Sequence, residues 1–399
     1  MRNAGLVVAF ACGAMVACNA IIGTRDLTYD PAAADASSAD AGAKPDAAGT
    51  DTGAALDAGA DVVVDAGACP GSYDSDPKHC GRCGHDCLGG KCVTGLCQPV
   101  TLAAGIPEPF GVTVLGDSVY WTSYFGDSVG VARKDGTGTP TTFAADPKFA
   151  RPWGITSDGT SIYFAAQDLS APGVFKCPPG SCQGAGALVQ ISTKRSRDVA
   201  VRGGVAYFTG FGDSVVYKVN TDGTGEVAID ATITQPFKIA VDATHAYVTS
   251  NLFKIVRIPL AGGPHEDFGD NSGDLAGGIF VDDQRVYWTY AFYTAAGRAF
   301  AKDKTTSTVV TYANKAQNPL AIVADDANVY WISLGTGDKA RLRTDGKLHV
   351  CPKAGCPAAG ATILVDSLEN GNALALDKDA IYFTEAGAAG VGTVKKLAK

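Results

Sequence analysis

Histidine is scarce in this 399-residue chain: there are five, and only His245, His265 and His349 lie beyond residue 97. His245 falls in a turn and the other two in separate strand-like stretches, so no two are placed to cooperate. No nucleophile motif occurs. The two "DGTG" stretches, Asp135–Gly138 and Asp222–Gly225, lack the following helix that a phosphate loop requires. Catalysis is therefore not expected. A basic stripe is also missing. With 33 Lys and Arg against 41 Asp and Glu, the net charge of −8 argues against nucleic acid, which is bound by clustered cations. Methionine is nearly absent, with two copies. The apolar runs are short and separated by many of the 49 glycines, a pattern that favours an all-β chain.

The first residues read as an export signal. Arg2 supplies the positive end, and "AGLVVAFACGAMVA" is apolar but short for a membrane span. "MVAC", Met15–Cys18, looks like a lipobox, which makes Cys18 the lipidated N-terminus after cleavage of residues 1–17. Acyl chains there would tether the protein to a bacterial envelope, with the outer membrane as the expected site. An ordinary secretory signal is the alternative. Residues 18–68 are dominated by Ala, Asp, Gly and Thr and cannot bury enough apolar area to offset ordering, so they read as a disordered tether.

Residues 69–97 hold Cys69, Cys80, Cys83, Cys87, Cys92 and Cys97. A segment this short folds only with staples, and in an exported chain three disulfides are expected, with pairing left open. Zinc is the rival reading, on Cys80, Cys83 and Cys87 with His79 and His85. The Cys and Gly spacing resembles small EGF-like modules. Two further pairs, Cys177 with Cys182 and Cys351 with Cys356, have the C-x4-C spacing of local disulfides closing hairpin turns.

The rest of the chain, 98–399, repeats one phrase seven times. "GDSVYWTS" returns as "GTSIYFAA", "GGVAYFTG", "ATHAYVTS", "DQRVYWTY", "DANVYWIS" and "KDAIYFTE". Its tyrosines, Tyr120, Tyr163, Tyr207, Tyr247, Tyr287, Tyr330 and Tyr382, are 43, 44, 40, 40, 43 and 52 residues apart. That period with strand-like content predicts a seven-bladed β-propeller of four-stranded blades, with the aromatics filling the space between blades. The last unit is one strand short, and a spare strand at Gln98–Gly105 precedes the first. It is expected to complete the last blade and close the ring.

"YWT" with downstream "KDGTG" and "TDGTG" resembles the YWTD-type propellers of lipoprotein-receptor ectodomains and their bacterial relatives. Those have six blades and an Asp after the Thr, whereas this chain has seven units with Ser123 and Tyr290 in that position. Seven blades are also similar to the streptogramin-lyase and NHL-like propellers. The resemblance implies the propeller architecture.

In such a ring the loops joining strands d to a and b to c share one face, the usual binding side. Arg151, Trp153, Phe110, Tyr124, Phe125, Arg197, Phe237, Lys238, Tyr290, Phe292 and Tyr293 fall there, with Trp153 and Arg151 the leading pair. Trp, Tyr and Arg anchor interfaces, so a protein or glycan of the cell envelope is the expected partner of a monomer. The bland alternative is that these rings fold back onto the blades. No cofactor is expected. Calcium on Asp282–Asp283 or Asp325–Asp326 is a lesser option, because Asp is also a common turn residue. A cation-dependent lyase or hydrolase and a purely structural envelope protein complete the alternatives.

Overall fold

The computed structural model describes residues 72–399, apart from 185, 211, 251–253, 270–274, 292–296, 337–342 and 388–389. The expected signal, Cys18, the tether and Cys69 lie outside the described residues. Seven four-stranded antiparallel sheets follow one another along the chain, and no helix occurs among the described residues. Blade 1 comprises Pro109–Leu115, Ser118–Ser123, Ser128–Arg133 and Thr141–Ala144, taken as strands a to d. The a strands of blades 2 to 7 are Pro152–Ser157, Ser196–Arg202, Pro236–Val241, Leu275–Val281, Pro319–Ala324 and Gly371–Leu376. Each a strand lies against the next, and blade 7 returns to blade 1, so the a strands form the inner ring.

Closure follows the sequence reading. Val100–Pro107 pairs antiparallel with Val391–Ala398 and supplies strand d of blade 7. The two ends of the propeller are thus hydrogen-bonded in one sheet, which removes two unpaired edges. All seven repeat tyrosines are buried. Burial of each ring between blades contributes on the order of 1.5–3 kcal/mol.

The threonine of the phrase has a separate role. Thr122 Oγ1 accepts the Gly111 N–H of its own blade at 2.8 Å and donates to the Trp153 carbonyl of the next blade at 2.7 Å. Thr209, Thr249, Thr289 and Thr384 repeat this bridge to Phe237, Gly277, Leu320 and Phe110. All five threonines are buried, so each hydroxyl satisfies two main-chain groups that water does not reach. Ala165 and Ile332 replace the threonine in blades 2 and 6.

On the far face, the a–b turn carboxylates are clamped. Asp242, Asp282, Asp325 and Asp377 each accept a hydroxyl from the repeat tyrosine of their own blade. Each also pairs with a lysine of the following blade: Lys304 at 2.8 Å, Lys353 at 2.7 Å, Lys399 at 2.9 Å and Lys134 at 2.7 Å. Burial alone would raise these carboxyls, but the lysine and backbone hydrogen bonds outweigh it and hold all four below the ordinary range. The aspartates offered as calcium donors, Asp282 and Asp325, are thus already engaged by ammonium groups.

A pH dependence follows. Carboxyls depressed on folding stabilise the fold above about pH 4, the unfolded value, and that stability is lost as pH falls further. His349 acts earlier. Burial lowers its pKa to about 4, and it is stacked on Trp331 with ring centroids 5.0 Å apart. Between about pH 6.5 and its folded value only the unfolded chain takes up that proton, so stability falls as pH falls. The melting-temperature gap between wild type and His349→Phe should therefore change across pH 6.5 to 4. A gap constant with pH, by calorimetry, would show that His349 is protonated equally in both states.

The cysteine-rich segment is disulfide-bonded. Cys80 joins Cys92 and Cys87 joins Cys97, and Cys83 is also disulfide-bonded. The one group of three or more potential metal ligands among the described residues, Cys80, Cys87 and Cys97, therefore consists of disulfide sulfurs, which removes the zinc reading there. His79 and His85 are used otherwise. His79 Nδ1 accepts the Gly84 N–H, and the His85 ring lies 2.6 Å from both the Cys80 and Lys399 main-chain oxygens. The second contact ties the segment to the last residue of blade 7. Cys177–Cys182 and Cys351–Cys356 close c–d turns as expected.

Candidate functional site

The inner strands carry one irregularity in every blade. Pairing with strand b skips two residues after the first pair, or after the second in blade 5, as between Pro109 and Val112 or Pro152 and Ile155. The skipped residues are Phe110–Gly111, Trp153–Gly154, Arg197–Asp198, Phe237–Lys238, Gly277–Gly278, Leu320–Ala321 and Asn372–Ala373. Such bulges re-aim side chains. The second position faces the next inner strand closely: a Cβ on Gly278 would lie 2.3 Å from the Leu320 carbonyl oxygen. Five blades therefore carry Gly or Ala there, and Asp198 and Lys238 are the exceptions.

The first bulge position builds a continuous stack. Phe110 lies 4.2 Å from Trp153 between ring centroids; the Arg197 guanidinium lies 4.1 Å from the Trp153 centroid and 4.7 Å from that of Phe237. Tyr124 packs edge-on against both Phe110 and Trp153 and carries Phe125 at 4.9 Å. The stack thus crosses blades 1 to 4. A cation between two aromatic faces is favourable when desolvated, and Arg197 is almost fully buried. Burial lowers its pKa to about 10, so it remains charged at neutral pH. Beside it, Asp198 and Lys238 are both fully buried, 3.9 Å apart. Burial pushes Asp198 up to about 6, against the pull of the Lys238 ammonium.

The expected loop residues therefore separate into two groups. Phe110, Trp153, Arg197, Phe237 and Lys238 are buried, and Tyr290 lies fully buried within strand b of blade 5. These side chains fold back onto the blades. Phe125 and Arg151 reach solvent, with Tyr124 half-buried beneath them. Phe292 and Tyr293 lie outside the described residues.

Arg151 is held from three sides. Its N–H donates to Asp127 at 2.7 Å, its Nε lies 3.3 Å from Asp168, and its guanidinium lies 5.8 Å from the Tyr124 centroid. Its φ of 51° recurs at the same corner in Glu108, Gln235, Asn318 and Asn370. Such angles are uncommon for residues with a side chain, so the architecture imposes them. The carbonyls of Glu108, Arg151, Asn318 and Asn370 each accept the N–H that follows strand b.

Three exposed apolar side chains mark this face among the described residues. Phe125 is 64% exposed, Leu169 81% and Val391 56%, and they occupy the b–c corners of blades 1, 2 and 7. Sequence reasoning singled out only Phe125. Leu169 could have been found as the large apolar residue between strands b and c in "QDLSAP". Asp198 could have been found by aligning the units, where it replaces Gly or Ala.

No family model matches the chain, and no curated protein matches it. Solved structures do. Virginiamycin B lyase from Staphylococcus aureus is similar at 16% identity and a TM-score of 0.57, over 76% of this chain and 99% of that one. The WD40 β-propeller domain of Doa1 matches at 12% identity and 0.58, over 74% and 95%. YCF48 bound to D1 peptide matches at 10% and 0.53, over 76% and 94%. At these identities the likeness establishes the propeller fold.

Proposed function

We propose that this protein is an exported propeller, tethered through Cys18 to the bacterial envelope, that binds a protein or glycan through the loop face of blades 7, 1 and 2. The observation that carries this reading is the exposed trio Phe125, Leu169 and Val391 at the b–c corners of three successive blades, with the anchored Arg151 at the d–a corner between blades 1 and 2. Large exposed apolar groups beside an ordered arginine are characteristic of interface anchors. The disulfides are in keeping with an oxidising compartment. No cofactor is needed for this role.

The test is retention of envelope components by the immobilised protein. Phe125→Ser with Leu169→Ser should abolish retention, with the melting temperature kept within a degree or two. Val227→Ser, on an exposed outer strand, should leave it unchanged. Equal retention by all three proteins would rule out this face.

A further inference from the structure

The rim of blades 7, 1 and 2 alternates in chemistry. Its b–c corners present Val391, Phe125 and Leu169 to solvent. Its d–a corners present Glu108 between blades 7 and 1, and Arg151 between blades 1 and 2. Main-chain bonds join the first three: Glu108 N–H donates to Gly390 O at 2.9 Å, and Tyr124 N–H to Glu108 O at 3.0 Å. Phe125 follows Tyr124, and Arg151 pairs with Asp168, the neighbour of Leu169. The order along the rim is therefore apolar, acidic, apolar, basic, apolar.

The two charged corners are prepared for opposite charges. Arg151 Nε lies 3.3 Å from Asp168, and its guanidinium donates no hydrogen bond among the described residues, so it keeps donors for a carboxylate. Glu108 makes no side-chain hydrogen bond or ion pair among the described residues, and its Oε2 is buried without a hydrogen-bond partner. An incoming ammonium or guanidinium would pair with this carboxylate from the solvent side, where Glu108 is partly exposed. Burial raises the Glu108 carboxyl above its ordinary value, and a cation at that corner would favour the ionised form.

Resting on the loop-face reading above, we infer that the partner is a polypeptide, bound as an extended segment along this rim. It places a basic side chain at Glu108, an acidic one at Arg151, and apolar side chains against Val391, Phe125 and Leu169. Charge complementarity of opposite sign at two successive corners selects a chain that carries both signs in order. Three exposed aliphatic or phenyl groups offer a glycan no hydrogen-bonding partner, whereas alternating side chains suit an extended peptide.

The experiment uses the full-length protein made under oxidising conditions. The probes are 12-residue synthetic peptides in which Lys and Glu alternate with Leu, in both charge orders, beside an array of neutral and acidic glycans. One charge order should bind more tightly than the other, and Arg151→Glu should weaken it by about tenfold or more. A peptide with Glu changed to Lys should restore binding to Arg151→Glu. Glu108→Lys should show the mirror-image rescue at the other charged position. Binding indifferent to charge order, unaffected by Arg151→Glu, or confined to glycans would overturn the inference. If the Phe125 and Leu169 variant loses envelope retention while no peptide binds, the loop-face reading stands and the polypeptide inference falls. If the rim variants lose neither, both fall.

Discussion

Lys238→Met should lower the unfolding free energy by about 3–5 kcal/mol, the usual cost of stranding one charge of a fully buried pair. Lys238 and Asp198 are both without exposed surface and 3.9 Å apart. Removing the ammonium leaves a carboxylate whose Oδ1 has no hydrogen-bond partner and whose Oδ2 accepts the Ile239 N–H. The sign with pH is specific. Burial already raises Asp198 to about 6, and loss of Lys238 raises it further. The penalty should therefore be smaller at pH 5, where Asp198 takes up a proton, than at pH 8. Adding Asp198→Ala should recover most of the loss, because Ala321 and Ala373 occupy the same bulge position in blades 6 and 7. Urea unfolding of the two single variants and the double variant measures the coupling. A double variant as unstable as Lys238→Met would place the cost in packing rather than charge.

The propeller was legible because its period is long and its phrase is chemically narrow. A tyrosine every 40 to 52 residues, followed by a β-branched or aromatic run, has few structural explanations. The closing strand was legible by counting, since the last unit offered three strands and one stood spare. The C-x4-C pairs were legible because the turn brings their ends together. The burial of the site was not legible. Alternation along strand a predicts which residues face inward, but the two-residue bulge interrupts it just where Phe110, Trp153, Arg197 and Phe237 sit. Their neighbours in the stack come from separate blades, roughly forty residues apart, and no local pattern records them. The partners of the turn aspartates were not legible for the same reason. Asp282 reads as a turn residue or a cation donor until Lys353, in the following blade, is seen beside it.

The burial of the stack bears on which residues touch a partner. Trp153 was the leading contact by sequence, yet it is 3% exposed and packs on Phe110, Tyr124 and Arg197. Trp153→Ala should therefore act first on stability. Removal of a buried indole costs about 3–5 kcal/mol, and it also takes the Trp153 face away from the Arg197 guanidinium. In a domain of this size the melting temperature should fall by about 10 °C. Arg151→Ala should behave in the opposite way. Its side chain is half exposed and its pair with Asp168 is a surface one, so the melting temperature should move by no more than a degree or two while binding is lost. Trp153→Phe keeps an aromatic face against Arg197 and should restore much of the stability. A Trp153→Ala protein that melts like wild type but fails to bind would return the indole to the contact surface. Tyr124 and Arg151 would then stand beside it as direct contacts, and the stack would have to open when the partner arrives.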